Sequence, residues 1–214
     1  MAEIKVIHGS CFDVAPQSAD LIFTDPPFDM EACDVVRAVS RHDSDHLVMI
    51  TTMRQLIGFV RASDEWVFSF DFVLDLVSPK QSKSIRQPNY RHTTGVYLTR
   101  RNAKSAFDRK ARQREDVASS SGYWPTIIRA PSGGRAGGAY EKSESAIIDI
   151  LGSFPTISTV LDPFAGTGTV AMAAFELGIS ATMIEQDPSQ LAAMRNRLKF
   201  VGATFVLCIA THRT

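Results

Sequence analysis

The hydrophobic residues of this chain form short continuous runs that alternate with segments of helical spacing. The continuous runs stand at 4–7, 21–24, 47–50, 159–161, 181–184 and 205–209. The segments in which apolar residues recur three or four positions apart stand at 35–39, 56–60, 144–151, 170–177 and 188–198. Strands that are apolar throughout are typical of parallel sheets whose two faces are covered by helices. The pattern therefore predicts an α/β fold with a mixed, mostly parallel sheet and helices on both of its faces.

Capping signals indicate where two of these helices begin. Asp29 is predicted to cap the helix that carries 35–39, because an aspartate at that position can accept hydrogen bonds from the first free amides. Asp187 is predicted to cap the last helix, with Pro188 in its first turn and Gln190 completing a capping box.

The middle of the chain departs from the alternation of strands and helices. Residues 66–77 and 96–98 are rich in β-branched and aromatic side chains and predict two further strands. Residues 80–114 contain eleven Lys and Arg against a single acid, Asp108. Within this segment, 100–114 is predicted as a polar helix or loop. An ordinary solvated surface is the alternative interpretation of such a run of charge.

Length and composition indicate a single domain over 1–214. The 214 residues are 44% hydrophobic and 21% charged, which lies in the range of well-packed globular domains. In this domain we expect a short basic insert at about 80–120 and a flexible Gly-rich loop at 131–139. The net charge is zero, but a polyanionic partner responds to where charges lie, so the neutral balance does not exclude one.

The cysteines and the N-terminus bear on the compartment. Cys11, Cys33 and Cys208 are widely spaced and form no C-x-x-C pair, so neither a disulfide framework nor a zinc site is predicted. The N-terminal residues lack the apolar core of a signal peptide, and no apolar run approaches the length of a membrane span. We therefore expect a cytoplasmic protein that holds no metal and contacts no membrane.

The first candidate for chemistry is Asp25-Pro26-Pro27-Phe28, which directly follows the apolar run at 21–24. Because both prolines have a locked φ and no amide proton, the chain is stiff here and its carbonyls are not used in a helix or ladder. Asp25 and the Pro26 carbonyl then provide two fixed acceptors beside an aromatic ring. This set suits a planar group with an exocyclic amine, such as a flipped nucleotide base. A tight turn capped by Asp25 fits these four residues equally well.

The second candidate is the glycine turn at 162–169, which lies between a predicted strand and a predicted helix. Gly166 and Gly168 allow a tight turn and a close approach of the backbone to a ligand at the helix N-terminus. Glu185 ends the next strand, where nucleotide-binding α/β folds place an acid that accepts from ribose hydroxyls. Asp162 at the head of the turn would repel a diphosphate but suits a cation such as S-adenosylmethionine. A helix-packing turn without a ligand is the alternative.

Together these motifs resemble those of the amino-group DNA methyltransferases, which modify adenine N6 or cytosine N4. Residues 25–28 resemble the catalytic motif of that family, and 162–169 resemble its cofactor motif. The catalytic motif comes first, as in the circularly permuted β group. Residues 124–128, the helix after 143 and Glu185 agree with the resemblance, which covers nearly the whole chain and is weakest between 80 and 120.

The resemblance implies a Rossmann-like, S-adenosylmethionine-dependent methyltransferase fold and direct in-line transfer to a flipped base in DNA. Asp25 and the Pro26 carbonyl would accept the two amine protons, and Phe28 would stack on the base. The acid at the first position favours adenine N6, with cytosine N4 as the alternative. The resemblance also implies a place in restriction–modification and is compatible with a homodimer. The implied catalytic residues are Asp25, Pro26, Pro27 and Phe28. The implied cofactor-binding residues are Asp162, Pro163, Phe164, Ala165, Gly166, Thr167, Gly168, Thr169, Glu185, Ser10 and Lys142.

Three positions depart from the family pattern. Gly9-Ser10 stands where the family usually has Gly-Asp. Ala139-Tyr140 and Lys142-Ser143 stand where the helix motif of the family has His-Pro and Lys-Pro. These changes leave open a catalytically inactive, DNA-binding module of the same fold. Methyltransferases of protein glutamine or of RNA use a similar acidic or amide turn with two prolines, but they usually place it after the cofactor motif.

The basic insert is the predicted DNA-contacting surface, because Lys and Arg neutralise phosphates and aromatic residues are interleaved with them. The predicted nucleic-acid contacts are Lys80, Lys83, Arg86, Arg91, Arg100, Arg101, Lys104 and Arg109.

Overall fold

The computed structural model describes residues 2–80, 85–86, 88–111, 124–130 and 143–209. The elements, in chain order, are β1 (Ile4–His8), β2 (Leu21–Thr24), α1 (Ala32–Ser40), β3 (His46–Thr51), α2 (Met53–Ala62), β4 (Trp66–Lys80), β5 (Tyr90–Arg100), β6 (Ile127–Ala130), α3 (Glu144–Leu151), β7 (Thr159–Asp162), α4 (Thr169–Leu177), β8 (Ser180–Glu185), α5 (Pro188–Phe200) and β9 (Phe205–Ile209). Their sequence confirms the predicted α/β fold. None of the helices in the described part of the chain has the length and apolar character needed to cross a bilayer.

In the described part of the chain, nine strands form one mixed sheet of order β6-β4-β5-β3-β2-β7-β8-β1-β9. Only the two pairings of β5, with β3 and β4, are antiparallel, and every other pairing is parallel. The mostly parallel character predicted from the apolar runs is therefore confirmed. One element differs from expectation, because β6 was not predicted as a strand. In the segment predicted as a polar helix or loop, the described residues 101–111 form turns and loop.

Helices cover both faces of the sheet. Successive residues of a strand point to opposite faces, so Phe23 of β2 joins the core beneath α3, α4 and α5, while its neighbour Ile22 joins the core beneath α1 and α2. All four residues of β2 are buried, which explains why its sequence is apolar without alternation. Trp66 at the start of β4 is 3% exposed and belongs to the core beneath α1 and α2.

The helix starts confirm one capping prediction and correct another. Asp187 caps α5, where its carboxylate accepts from the amides of Ser189 and Gln190 at 2.7 and 3.4 Å. The predicted capping box does not close, because the Asp187 amide donates to Glu185 instead. The prediction for Asp29 is wrong by two residues, since α1 takes Glu31 as its N-cap.

The β4–β5 hairpin extends beyond β3 at the carboxyl end of that strand. Thr51, the last residue of β3, lies opposite Thr94 of β5, which in turn pairs with Val73 of β4. Residues 90–93 of β5 therefore run past β3 by about 13 Å at the usual rise of a strand, and β4 accompanies them with a bulge between Asp75 and Lys80. We call this projecting part, residues 74–80 and 90–93, the arm.

Gly95 of β5 is where a side chain would be least tolerated in this hairpin. A Cβ at Gly95 would fall within the ring of Phe72, its cross-strand partner, which is 1% exposed. We expect Gly95→Ala to lower the free energy of unfolding by about 1–3 kcal/mol, as overpacking of a core does. Urea denaturation measures this. Combining Gly95→Ala with Phe72→Leu should cost less than the sum of the two changes, and strict additivity would contradict the steric explanation.

Candidate active site

Both sequence motifs lie at the same point of the sheet edge. β2 and β7 are parallel neighbours, and the chain continues from β2 to β3 on one side and from β7 to β8 on the other. Such a reversal of strand order opens a crevice beyond the carboxyl ends of the strands, where α/β proteins bind ligands. The hydroxyl of Thr24, which ends β2, donates to Asp162 Oδ1 at 2.9 Å. This buried bond joins the two motifs across 138 positions of sequence.

A cavity of about 360 Å³ occupies the crevice. The predicted residues that line it are Asp25, Pro27, Asp162, Pro163, Phe164, Ala165, Gly166, Thr167, Thr169 and Glu185. Ser10, Pro26, Phe28 and Gly168 adjoin lining residues in sequence but are not among them. Lys142 lies outside the described residues. The structure thus brings most of the predicted catalytic and cofactor-binding residues to a single cavity.

Asp162 is a buried acid at the carboxyl end of β7. It is 2% exposed, and burial raises the pKa of its carboxyl to about 7, with the negative charges of Asp25 and Glu185 adding to the increase. The Phe164 amide and the Thr24 hydroxyl, which both donate to Oδ1, act in the opposite direction. A carboxylate that is costly to ionise in an empty pocket gains most from a bound cation.

Glu185 is buried beside the glycine turn and is engaged by the backbone. Its Oε2 accepts from the Gly166 amide at 2.7 Å, and its Oε1 accepts from the Asp187 amide at 2.7 Å. Each carboxylate oxygen retains a further acceptor site. Glu185 therefore holds the turn in place and can still accept from a ligand hydroxyl.

The glycine turn needs both of its glycines. Gly166 and Gly168 have φ values of 54° and 82°, in the region where other residues are strained. A Cβ on Gly168 would also collide with the side chain of Met194 on α5. From α5, Arg197 donates to the Thr167 carbonyl at 3.2 Å and to Glu144 Oε2 at 2.9 Å. The turn is thereby fixed between α3 and α5.

The chain leaves β2 through the proline motif, residues 25–28, which lies at the rim of the cavity. Asp25 is partly buried and Pro26 is buried, whereas the Phe28 ring is 40% exposed. The Met30 amide donates to the Pro27 carbonyl at 3.0 Å and closes a turn. An exposed ring beside a cavity-lining acid is the arrangement that base stacking requires, and the role of Phe28 stays a prediction.

Several lining residues were missed by sequence reasoning. They include Gly9, Cys11 and Phe12 after β1, Met30 after the proline motif, and Gln186 and Gln190 after β8. Most of them follow the carboxyl end of a strand, and this position is the signal that could have found them. Burial raises the pKa of the Cys11 thiol to about 11, so it is neutral at pH 7.

Ser10 stands where the methyltransferases that the sequence resembles usually have an aspartate, and it makes local contacts. Its Oγ accepts from the Phe12 amide at 3.2 Å, and its carbonyl accepts from the amides of Asp13 and Val14. The Gly9 amide donates to the Glu185 carbonyl and ties this turn to β8. Ser10 therefore shapes one wall of the cavity, and a direct contact to a cofactor stays a prediction.

The structure separates the seven predicted DNA contacts that lie among the described residues into two groups. Arg91 lies on the arm, at the same edge as the cavity, where its side chain is 71% exposed and pairs with Asp75 at 3.2 Å. Lys80 ends β4 at the arm, and the exposed Arg86 lies in the connection between β4 and β5. Lys83 falls outside the described residues, as do 112–123 of the insert and the predicted Gly-rich loop at 131–139.

The second group lies at the opposite, amino edge of the sheet. Arg100 pairs with Trp66 at the start of β4, and its guanidinium donates to the carbonyls of Ser40, Ser44 and His42 at 3.1–3.2 Å. It also forms an ion pair with Glu65 and stacks on the Trp66 ring. Arg100 thus stabilises the fold. The other members of this group are Arg101, Lys104 and Arg109.

Backbone hydrogen bonds show where the residues of this second group lie. The Arg101 amide donates to the Glu65 carbonyl, and the Asp108 amide donates to the Ser153 carbonyl in the loop that precedes β7. Because the two groups lie at opposite edges of the sheet, one continuous DNA-binding surface could not include both of them and the cavity. Within the part of the chain that the structure describes, no three His, Cys, Asp or Glu side chains are grouped as a metal site would require.

Comparison with known proteins supports the fold. No family model and no curated protein matches the sequence. Among solved structures, the chain resembles M1.HpyAVI in complex with SAM, with a TM-score of 0.71 and 19% identity over 91% of this chain and 100% of that one. It resembles TTHA0409 from Thermus thermophilus complexed with S-adenosyl-L-methionine, with a TM-score of 0.65 and 18% identity over 98% and 99%.

A third structure extends the comparison. The PvuII DNA methyltransferase, named as cytosine-N4-specific, gives a TM-score of 0.70 and 12% identity over 95% of this chain and 94% of that one. The structural match to amino-group DNA methyltransferases thus covers nearly the whole chain and confirms, at the level of the fold, the resemblance seen in the sequence. The target base is left open by these comparisons.

Proposed function

We propose that this protein is a DNA methyltransferase that transfers a methyl group from S-adenosylmethionine to the N6 amine of adenine. The observation that carries the proposal is the junction of the two motifs, in which Asp25 and Asp162 line one cavity and the Thr24–Asp162 bond holds their strands together. The likeness to solved methyltransferases at 12–19% identity supports the fold, and the chemistry rests on the residues of this cavity.

The residues of the cavity fit S-adenosylmethionine. Asp162 is a buried acid whose ionisation a cationic ligand would favour, and a Cβ at Gly166 would meet no atom within 4 Å, so the backbone of the turn is open to a ligand. Glu185 retains acceptor sites for ribose hydroxyls. When bound, the cofactor supplies an electrophilic methyl group on a sulfonium. Asp162, the turn at 163–169 and Glu185 would hold it, beside Gly9 and Phe12.

The proline motif would hold the substrate amine. Asp25 and the Pro26 carbonyl accept the two amine protons, which draws the nitrogen lone pair out of conjugation with the ring and directs it toward the methyl group. Asp25 thus acts as an acceptor, not as a nucleophile. Orienting two reactants in this way is worth about 7–11 kcal/mol of the barrier. Phe28 at the rim would stack on the flipped base.

The arm is the part of the basic insert that we propose to contact DNA. It projects from the same edge of the sheet as the cavity, and it carries Lys80 and Arg91, with Arg86 beyond it. Lys and Arg on a projecting hairpin can neutralise phosphates on either side of an extruded base. Arg100, Arg101, Lys104 and Arg109 face the other edge and are not included in this proposal.

The test is to incubate the full chain with labelled S-adenosylmethionine and duplex DNA of mixed sequence, and to identify the modified nucleoside after digestion. We expect label on N6-methyl-2′-deoxyadenosine. Label on N4-methyl-2′-deoxycytidine would instead give this chain the specificity named for the PvuII enzyme and would overturn the adenine assignment. Cofactor binding without transfer to any nucleic acid would favour the inactive DNA-binding module.

A further inference from the structure

Gln55 is a buried polar residue in the first turn of α2, directly behind the proline motif. It is 5% exposed. Its Nε2 donates to the carbonyl of Pro27 at 2.9 Å and to the carbonyl of Met30 at 3.1 Å. Its Oε1 accepts from the Thr51 hydroxyl at 2.8 Å. Because carbonyls can only accept and both lie at Nε2, this network also determines which way the amide faces.

The proline motif cannot anchor itself. Pro26 and Pro27 have no amide proton, so two consecutive residues of the motif cannot donate to the neighbouring strand as strand residues normally do. Donors that hold them must therefore reach their carbonyls from other residues. The Met30 amide supplies one such donor within the turn, to the Pro27 carbonyl. Gln55 supplies two donors from α2, one to the same Pro27 carbonyl and one to the Met30 carbonyl, and so ties the turn to a second element.

We infer that Gln55 is a positioning residue, which holds the Asp25–Pro26 acceptor pair at the geometry that transfer requires. The inference rests on the proposed function, since it assigns Gln55 a part in the same reaction. Gln55 does not line the cavity and touches neither substrate nor cofactor in this scheme. Its effect passes through the Pro27 carbonyl to the two residues before it.

Methyl transfer should be sensitive to the loss of the two Gln55 hydrogen bonds because of the kind of reaction it is. The reaction needs no general base with a matched pKa, and its rate depends on where the amine nitrogen is held. A displacement of about 1 Å at such a site can cost about 100-fold in rate. Loss of the two Gln55 bonds releases the motif on the side away from the cofactor turn, so cofactor binding should change little.

The test compares the full chain with Gln55→Met, which keeps the length of the side chain and removes both donors. We expect kcat for DNA methylation to fall about 10- to 100-fold, while KM for S-adenosylmethionine stays within about twofold because Asp162, Glu185 and the glycine turn are untouched. A loss that appears in KM for the cofactor and leaves kcat unchanged would overturn the inference.

Two matched variants separate positioning from a general loss of stability. Phe59→Leu alters a fully buried residue of the same helix that makes no hydrogen bond to the proline motif through its side chain. Thr51→Val removes the hydroxyl that donates to Gln55 Oε1 and to the Thr52 carbonyl, and it leaves both Gln55 donors in place. Both should keep kcat close to that of the unmodified protein. If Phe59→Leu lowers kcat as much as Gln55→Met at an equal loss of melting temperature, Gln55 has only a structural role.

Hydrogen exchange provides a measurement that does not depend on activity. In Gln55→Met the amides of residues 28–31 should exchange faster, and in Phe59→Leu they should not. Unchanged exchange in Gln55→Met would refute the anchor even in an active enzyme. If the unmodified chain methylates no DNA, the proposed function fails. The exchange measurement still decides the role of Gln55 in that case. Faster exchange of residues 28–31 in Gln55→Met would show that Gln55 holds the motif, and unchanged exchange would refute it.

Discussion

Replacing Asp25 with alanine is expected to lower the rate of methyl transfer by at least about 100- to 1,000-fold, the usual cost of removing one preorganised polar group that stabilises a transition state. Asp25 is one of two acceptors for the amine, and the second, the Pro26 carbonyl, belongs to the backbone and survives the substitution. The residual activity should therefore reflect one acceptor and the remaining orientation of the base.

The same variant should retain the cofactor. The charge of Asp25 contributes to the raised pKa of Asp162, so its removal lowers that pKa and favours the ionised form that a cation prefers. Calorimetry with S-adenosylmethionine at pH 7 should give an unchanged or slightly stronger affinity, and single-turnover transfer of labelled methyl to DNA should give the large loss.

Asp29→Ala serves as the control, because this exposed carboxylate lies four residues further along and does not line the cavity. It should transfer methyl groups at the rate of the unmodified protein. An Asp25→Ala variant with more than about a tenth of the normal rate would show that Asp25 does not hold the amine, since that loss corresponds to only about 1.4 kcal/mol.

The second large effect concerns Asp162 and pH. Its pKa of about 7 lies above the ordinary value of 3.8 chiefly because of burial, so the folded protein binds a proton more strongly than the unfolded chain. The stability that this proton contributes is fully present below about pH 4 and is lost as the pH rises through 7. Cofactor binding has the opposite dependence, because a cation favours the ionised carboxylate. Affinity for S-adenosylmethionine should therefore increase between pH 5.5 and 7.5, by up to about tenfold per pH unit below 7.

Asp162→Asn removes the negative charge and keeps the size of the side chain, so it tests the role of the charge alone. The Asn oxygen can still accept from the Thr24 hydroxyl and the Phe164 amide, so the fold should be kept and the loss of stability with rising pH should diminish. Affinity for the cofactor should fall about 10- to 100-fold, the value of a hydrogen bond to a charged group, and should no longer change between pH 5.5 and 7.5. Calorimetry and thermal unfolding across this range measure both effects. If Asp162→Asn binds the cofactor as tightly as the unmodified protein does at pH 7.5, Asp162 is not the residue that contacts the positive charge of the cofactor.

Much of the fold was readable from local pattern. The helix at 144–151 and the strand at 205–209 have the bounds that the spacing of apolar residues predicts. Such elements are encoded by which side chains face the core, and this alternation is visible in the sequence itself. The cap of α1 was misplaced because Asp29 and Glu31 are both acidic residues near the helix start, and the choice between them depends on how the chain leaves the proline motif.

The site was readable in its parts. Asp25 and Asp162 each stand at the end of an apolar run, so the sequence placed both acids where a predicted strand ends. The distribution of the basic residues could not be predicted from the sequence. Arg91 and Arg100 lie at the two ends of one strand, and only the antiparallel pairing of β5 with β3 shows that the Arg91 end is the one at the cavity edge. Gln55 gave no signal, since a glutamine in the first turn of a helix is usually solvated.

The sequence by itself determined the α/β class, both motifs and the order in which they occur, because each of these depends on residues that are close together along the chain. Tertiary structure decided that β2 and β7 are neighbours, that the arm stands beside the cavity while Arg100 does not, and that Gln55 reaches the proline motif. These relations join segments far apart in sequence, and they are settled by the packing of the whole sheet and its helices, which no local pattern specifies.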